Sequence, residues 1–254
     1  SNPRRTSVTD QEATDFTLEE QIPHQEMVVT LSQRGYIKCI PSDTYRRQHR
    51  GGKGVRGQST REGDGLRDHL VADNHDVLLF FTNRGRVYTT KVFGLPAETS
   101  RNTRGAPLVQ YLQLKPGESV QTMVTVASLL EEKNLLFATR LGEIKRMALS
   151  NLANIRTNGL NAMDLELGDE LIAVRLAFDQ DDVIMVSRQG LSIRFPVIQI
   201  RSSSRAAGGV RGMKLRNDDS LVAMDVVIPD TQLLVISERG YGKPTSLDRY
   251  RPQS

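Results

Sequence analysis

The sequence predicts an all-β, propeller-like domain made of four-stranded blades about 50 residues each. Three observations lead there. Five stretches share one pattern: VVTLSQRGYIK (28–38), LLFFTNRGRVY (78–88), LLFATRLGEIK (135–145), VIMVSRQGLSI (183–193) and LLVISERGYGK (233–243). Their glycines, Gly35, Gly85, Gly142, Gly190 and Gly240, recur at intervals of 50, 57, 48 and 50 residues. Outside Ala127 to Lys133, no stretch shows a convincing 3.6-residue apolar period. Units of this kind indicate blades arranged around an axis, and each is too small to bury its faces without neighbours.

Each element has a local reason. The shared pattern is four mostly apolar, β-prone residues, then Ser or Thr, two variable residues and Gly, which predicts a tight β-hairpin. The glycine takes the left-handed backbone that a bulged turn requires. The hydroxyls of Ser32, Thr82, Thr139, Ser187 and Ser237, three residues earlier, can bond the turn backbone. A second glycine follows at 19, 20, 17 and 19 residues: Gly54, Gly105, Gly159 and Gly209. Beyond it lie further β-prone segments, VQTMVTV (120–126), LIAVRLA (171–177) and LVAMDVV (221–227), giving about four strands per copy. The blade domain is read as residues 27–254, after an acidic linker over residues 1–26. The fifth copy stops fourteen residues past Gly240, and its YRPQS (250–254) matches YRRQH (45–49) at the same offset. The last repeat is therefore expected to be truncated, leaving five or six blades if complete.

Charge is distributed unevenly. The net charge is +4, yet six acids and no Lys or Arg lie between Thr6 and Gln33. Arg34 to Arg61 then carries eight basic residues against the single acid Asp43. Such a concentration is the footprint of a polyanion binder. Apolar runs are far shorter than the roughly 20 residues of a membrane helix, and no basic-then-apolar leader opens the chain. The single Cys39 excludes an internal disulfide and suits a reducing compartment. A cytoplasmic protein is expected.

Several chemistries fail on spacing. Gly52-Lys53-Gly54-Val55-Arg56-Gly57 matches G-x-G-x-x-G, but RRQHR precedes it and QSTREGDG follows, with neither the strand nor the helix of a dinucleotide site. A P-loop fails because Gly follows Lys53 and Arg47 stands where the first Gly belongs. His24, His49, His69 and His75 are scattered without Cys or paired carboxylates at ligand spacing, so no metal centre is predicted. Cys39 is read as a core or rim residue of a strand. No catalytic site is predicted, and no cofactor.

Phosphate contact survives this elimination. Gly51, Gly52 and Gly54 would let backbone N–H groups approach an oxyanion, while Arg50 and Lys53 supply charge. Arg46, Arg47 and Arg56 flank them. Corresponding loops hold Arg101, Arg104, Arg156, Arg205 and Arg211, and the hairpin ends add Arg84, Arg86, Lys145, Arg146 and Arg194. One basic element per blade becomes a stripe along the rim. With no Trp and 5% aromatic residues, stacking platforms for single strands are missing, so duplex DNA held by its backbone is the expected partner.

Gln48-His49-Arg50-Gly51-Gly52-Lys53-Gly54 resembles the box Q-R-R-G-G-K-G of DNA gyrase A C-terminal domains, with His49 in place of the first arginine. The repeat stretches, and GVRG at 209–212, also resemble that family, from about Ile22 to Ser254. The resemblance implies a β-pinwheel, usually six-bladed, whose blades exchange strands. It implies a non-catalytic domain, monomeric in isolation, that wraps duplex DNA around its rim in support of ATP-dependent negative supercoiling. The remainder of gyrase A, together with gyrase B, would be its protein partners. The cleavage tyrosine, ATP and Mg sites lie outside the region of likeness. Two alternatives stand beside this reading: the related C-terminal domain of topoisomerase IV, in which the box is degenerate or lost, and a propeller scaffold whose basic loops meet acidic proteins.

Overall fold

The computed structural model of the chain describes residues 19, 21–45, 63–98, 100, 103–156 and 158–253. The described residues form strands, short 3-10 turns and loops, and no helix among them is long and apolar enough to cross a membrane. In the first repeat, β1 (Glu26–Ser32) and β2 (Tyr36–Pro41) make a hairpin, and β3 (Leu66–Asp73) pairs with β1. The second holds β4 (Val77–Thr82), β5 (Arg86–Lys91), the two-residue β6 (Ala106–Pro107) and β7 (Val120–Val126). The third repeats this order with β8 (Asn134–Thr139), β9 (Glu143–Ala148), β10 (Leu160–Asn161) and β11 (Leu171–Ala177). The fourth has β12 (Asp182–Ser187), β13 (Ser192–Pro196), β14 (Val210–Arg211) and β15 (Leu221–Val226). A last hairpin is formed by β16 (Gln232–Ile236) and β17 (Gly242–Ser246).

The short strands cross between blades. β6 pairs with β2, β10 with β5 and β14 with β9, so each repeat lends two residues to the hairpin before it. The resulting sheets run β3-β1-β2-β6, β7-β4-β5-β10 and β11-β8-β9-β14, followed by β15-β12-β13 and the lone pair β16-β17. The long strands β3, β7, β11 and β15 pack on one another in succession. They therefore line the middle of the molecule, and the crossing strands β6, β10 and β14 stand at the opposite, outer edges. Four blades in a propeller arrangement result, with the fifth hairpin set against the fourth blade.

Cores lie between blades rather than within them. In β4, Leu78 and Phe80 face the first blade, whereas Leu79 and Phe81 face the third. A strand buried on both faces needs a continuous apolar run, which VLLFFT supplies. The fourth interface is thinner: Ile184, Val227 and Leu247 are buried there, with Leu233 and Tyr250 partly so. Cys39 belongs to the first core, where burial pushes its thiol up to about 11.

The hairpin turns follow the sequence pattern in all five copies. Ser32, Thr82, Thr139, Ser187 and Ser237 each accept, at the side-chain oxygen, the backbone N–H of the residue four further on, at 3.1 to 3.3 Å. Gly85 shows why the turn residue has no side chain. Its φ is +70, and its carbonyl accepts the N–H groups of Ala162 and Met163 from the next repeat, leaving no room for a Cβ.

Two segments add to the expected pattern or depart from it. Ala127 to Lys133 is not helical; its turns are held by the Glu131 carboxylate, which accepts the Ser128 N–H at 3.0 Å. Ahead of β1, residues 22–25 lie on the turn after β3: the Asn74 side chain donates to the Pro23 carbonyl and accepts the Gln25 N–H.

Candidate nucleic-acid interface

The crossing loops are the elements that carry cations to the perimeter. Arg104 precedes β6, Arg156 precedes β10, and Arg205 precedes β14; all three are exposed. Arg211, within β14, is exposed as well. The Arg104 guanidinium stands 5.5 Å from the Tyr36 ring centre, over the blade that its loop joins. Arg84 is exposed at the tip of the β4–β5 hairpin. Because β6, β10 and β14 occupy equivalent outer edges of the first three sheets, Arg104, Arg156 and Arg205 stand at corresponding places on three successive blades. Arg201, on the same loop as Arg205, is exposed too and joins them although the sequence pattern does not single it out; its place eight residues before Gly209 is the available signal.

The glycine that ends each crossing loop has a mechanical task. Gly105 has φ +84, and a Cβ there would collide with the Ile37 carbonyl of the preceding hairpin. A Cβ on Gly159 would strike the Tyr88 ring, and one on Gly209 the Glu143 side chain. In these three copies the second glycine serves the close passage of one repeat over another, a role distinct from opening backbone N–H groups to phosphate.

Cations on the second strand of the first four hairpins work inward. Lys145, expected on the rim, is only 1% exposed. Its Nζ donates to the carbonyls of Ala162 at 2.8 Å, Arg205 at 3.0 Å and Ala207 at 2.8 Å. Burial pushes its amine down to about 8, opposed by Asp164. Lys38, at the same position of the first hairpin, is likewise buried and donates to the Thr103 carbonyl at 3.1 Å. Both lysines grip the incoming crossing loop from below.

Three arginines behave in the same manner. Arg146 is 8% exposed, pairs with Asp179 at 2.6 Å, and its carbonyl accepts the Ser203 N–H. Arg86 is half-buried, with Nε 3.2 Å from Glu118, and its guanidinium donates to Asn161 and to the Asn158 carbonyl in the crossing loop. Arg194 is half-buried against Asp182 at 2.8 Å and donates to the Leu247 carbonyl at 2.9 Å. The rim expectation is thereby corrected for Lys145 and Arg146, which are buried, while Arg86 and Arg194 present paired guanidiniums. Gln48, His49, Arg50, Gly51, Gly52, Lys53 and Gly54, together with Arg46, Arg47, Arg56 and Arg101, lie outside the described residues.

The fold also joins residues that spacing keeps apart. His24 and His75, scattered in sequence, stand together with Asp73.

Similarity to known proteins follows the repeat boundaries. The family model described as "DNA gyrase C-terminal domain, beta-propeller" matches residues 26–71, 76–127, 133–177, 181–228 and 231–254. The chain is 42% identical over 247 residues to the DNA gyrase A protein of Dehalogenimonas lykanthroporepellens, covering 97% of this chain and 30% of that protein. It thus spans about a third of the length of this relative. Among solved structures, a DNA gyrase A C-terminal domain superposes with TM-score 0.75 at 25% identity, covering 91% of this chain and 74% of that one. The C-terminal domain of a DNA topoisomerase IV superposes with TM-score 0.73 at 22% identity, covering 92% and 71%, a likeness of fold.

Proposed function

Because the chain belongs to the DNA gyrase C-terminal domain family, we propose that it is a non-catalytic element that binds duplex DNA along its basic perimeter and bends it. The observation that carries the reading is the recurrence of exposed Arg104, Arg156 and Arg205 on three crossing loops at equivalent outer edges. Repeat register assigns the segment Gln48 to Gly54 to the corresponding loop of the first copy, since Gly54 follows Gly35 as Gly105 follows Gly85. That segment would add its charge to the stripe and serve the bending of the duplex rather than its simple capture.

Backbone contacts fix the path of the duplex without reading its bases. Curving a site of a few tens of base pairs costs on the order of 1–6 kcal/mol, which several Arg–phosphate contacts with counterion release offset. In the complete enzyme the curved duplex would support negative supercoiling, with ATP use and strand cleavage in gyrase B and in the rest of gyrase A. The box Gln48 to Gly54 favours this over a topoisomerase IV role.

Fluorescence anisotropy with a duplex of about 40 base pairs tests the binding step. Affinity should fall linearly with salt on logarithmic axes, by about 0.9 per phosphate contact. A salt-insensitive interaction, or preference for acidic protein over DNA, would support the scaffold reading instead.

A further inference from the structure

The fold gathers a set of metal ligands that neither the DNA-binding surface nor the repeat pattern accounts for. One ligand atom from each of His24, Asp73 and His75 lies within 4.8 Å of the other two. The His24 and His75 rings stack with centroids 4.1 Å apart. His24 Nδ1 is 2.9 Å from Asp73 Oδ1, and that same oxygen accepts the His75 backbone N–H at 2.9 Å, which holds the carboxylate in place.

His75 is oriented as a ligand. Its Nε2 lies 2.8 Å from the Ile22 carbonyl, which can only accept, so Nε2 carries the proton and Nδ1 keeps its lone pair. A backbone carbonyl holding the far N–H of an imidazole is the usual support of a metal-bound histidine. Nδ1 faces the Glu19 carboxylate at 3.9 Å, which puts a fourth ligand within reach. The other charged groups at the site are Lys91, 3.2 Å from Glu19, and Asp76, whose carboxylate accepts the Asp73 N–H.

We propose that His24, Asp73 and His75 form a site for a divalent transition-metal ion, which fastens the segment ahead of β1 to the turn between β3 and β4. Two imidazoles with a carboxylate suit Zn2+, Co2+ or Ni2+ rather than Mg2+ or Ca2+. Metal–ligand bonds of about 2.0–2.1 Å bring ligand atoms to roughly 3.3 Å from one another. Side-chain rotation of the exposed His24 together with a shift of the His75 ring would close the set around an ion, with His24 neutral in its Nε2–H tautomer so that the Nδ1 lone pair meets the ion beside Asp73. Bound only by the native arrangement, the ion would bridge residues 49 apart in sequence and stabilise the first blade.

Visible absorption during Co2+ titration of the 254-residue chain tests this. The expected result is one saturable equivalent per chain, displaced by Zn2+. His24→Ala, at an exposed position that does not endanger folding, should abolish the signal, as should Asp73→Asn. His49→Ala and His69→Ala should retain it. Absence of a saturable equivalent would overturn the proposal, as would unchanged binding in His24→Ala or loss of binding in His69→Ala.

Discussion

The Lys145 Nζ lies 2.8 Å from the carbonyl oxygen of Ala207, a residue 62 positions later in a different repeat. A cation that belongs by composition to a nucleic-acid surface is thus used to hold one blade to the next. With the Ala162 and Arg205 carbonyls also accepting, one ammonium satisfies three backbone acceptors at the point where a crossing loop arrives. The exposed arginines of that loop are positioned by this hidden contact.

Replacing Lys145 by Met should therefore destabilise the chain by about 2–4 kcal/mol, because three carbonyls lose their donor where the crossing loop docks. The difference should also depend on pH. The folded amine sits near 8, below its ordinary 10.5, so below pH 8 both states are protonated and the burial penalty acts in full. Between those values the unfolded chain binds more protons, and the wild type gains stability as pH rises. Thermal midpoints of wild type and Lys145→Met measured across that range should diverge in favour of the wild type. A constant difference would mean that the amine titrates normally.

Two glycines with similar backbone angles should respond differently to alanine. Gly105, at φ +84, faces the Ile37 carbonyl, whereas Gly168, at φ +85, has no atom within 4 Å of a would-be Cβ. Gly168→Ala should cost only the left-handed backbone strain, about 1–2 kcal/mol. Gly105→Ala should cost clearly more, because the crossing strand must shift to relieve the collision. Chemical denaturation of both variants checks this, and equal losses would refute the close passage.

Exposed and inward-facing cations should separate in a binding assay. Arg156→Ala should leave the thermal midpoint within error, weaken duplex binding modestly and reduce the salt slope by about one. Arg86→Ala removes a guanidinium engaged with Glu118, Asn161 and the Asn158 carbonyl, so it should lower the thermal midpoint. At temperatures where that variant stays folded, its salt slope should match the wild type. Anisotropy titrations beside melting curves distinguish the two classes.

Much of this architecture is legible in the residues alone. The hairpins are, because a hydroxyl and a glycine at fixed spacing leave the turn few alternatives, and so are β7, β11 and β15, whose β-prone runs recur after each second glycine. β3 is not, since LRDHLVAD mixes charge into a strand of which only Ala72 is fully buried. The two-residue crossing strands are too short for any period to register. Lys145 and Arg146 read as rim cations because residue type says nothing about the distant partners the fold supplies, the Arg205 and Ala207 carbonyls for Lys145 and the Asp179 carboxylate for Arg146. His24 and His75 are separated by sequence and joined only by the fold.

A duplex that curves along the blade edges is the central claim. Its most direct test is energy transfer between dyes at the two ends of a duplex of about 150 base pairs, one persistence length. Transfer should rise on saturation with the wild-type chain. It should stay at the free-DNA level with Gln48 to Gly54 replaced by alanines, although much of the affinity remains. Ends that stay apart under saturating wild-type protein would contradict wrapping.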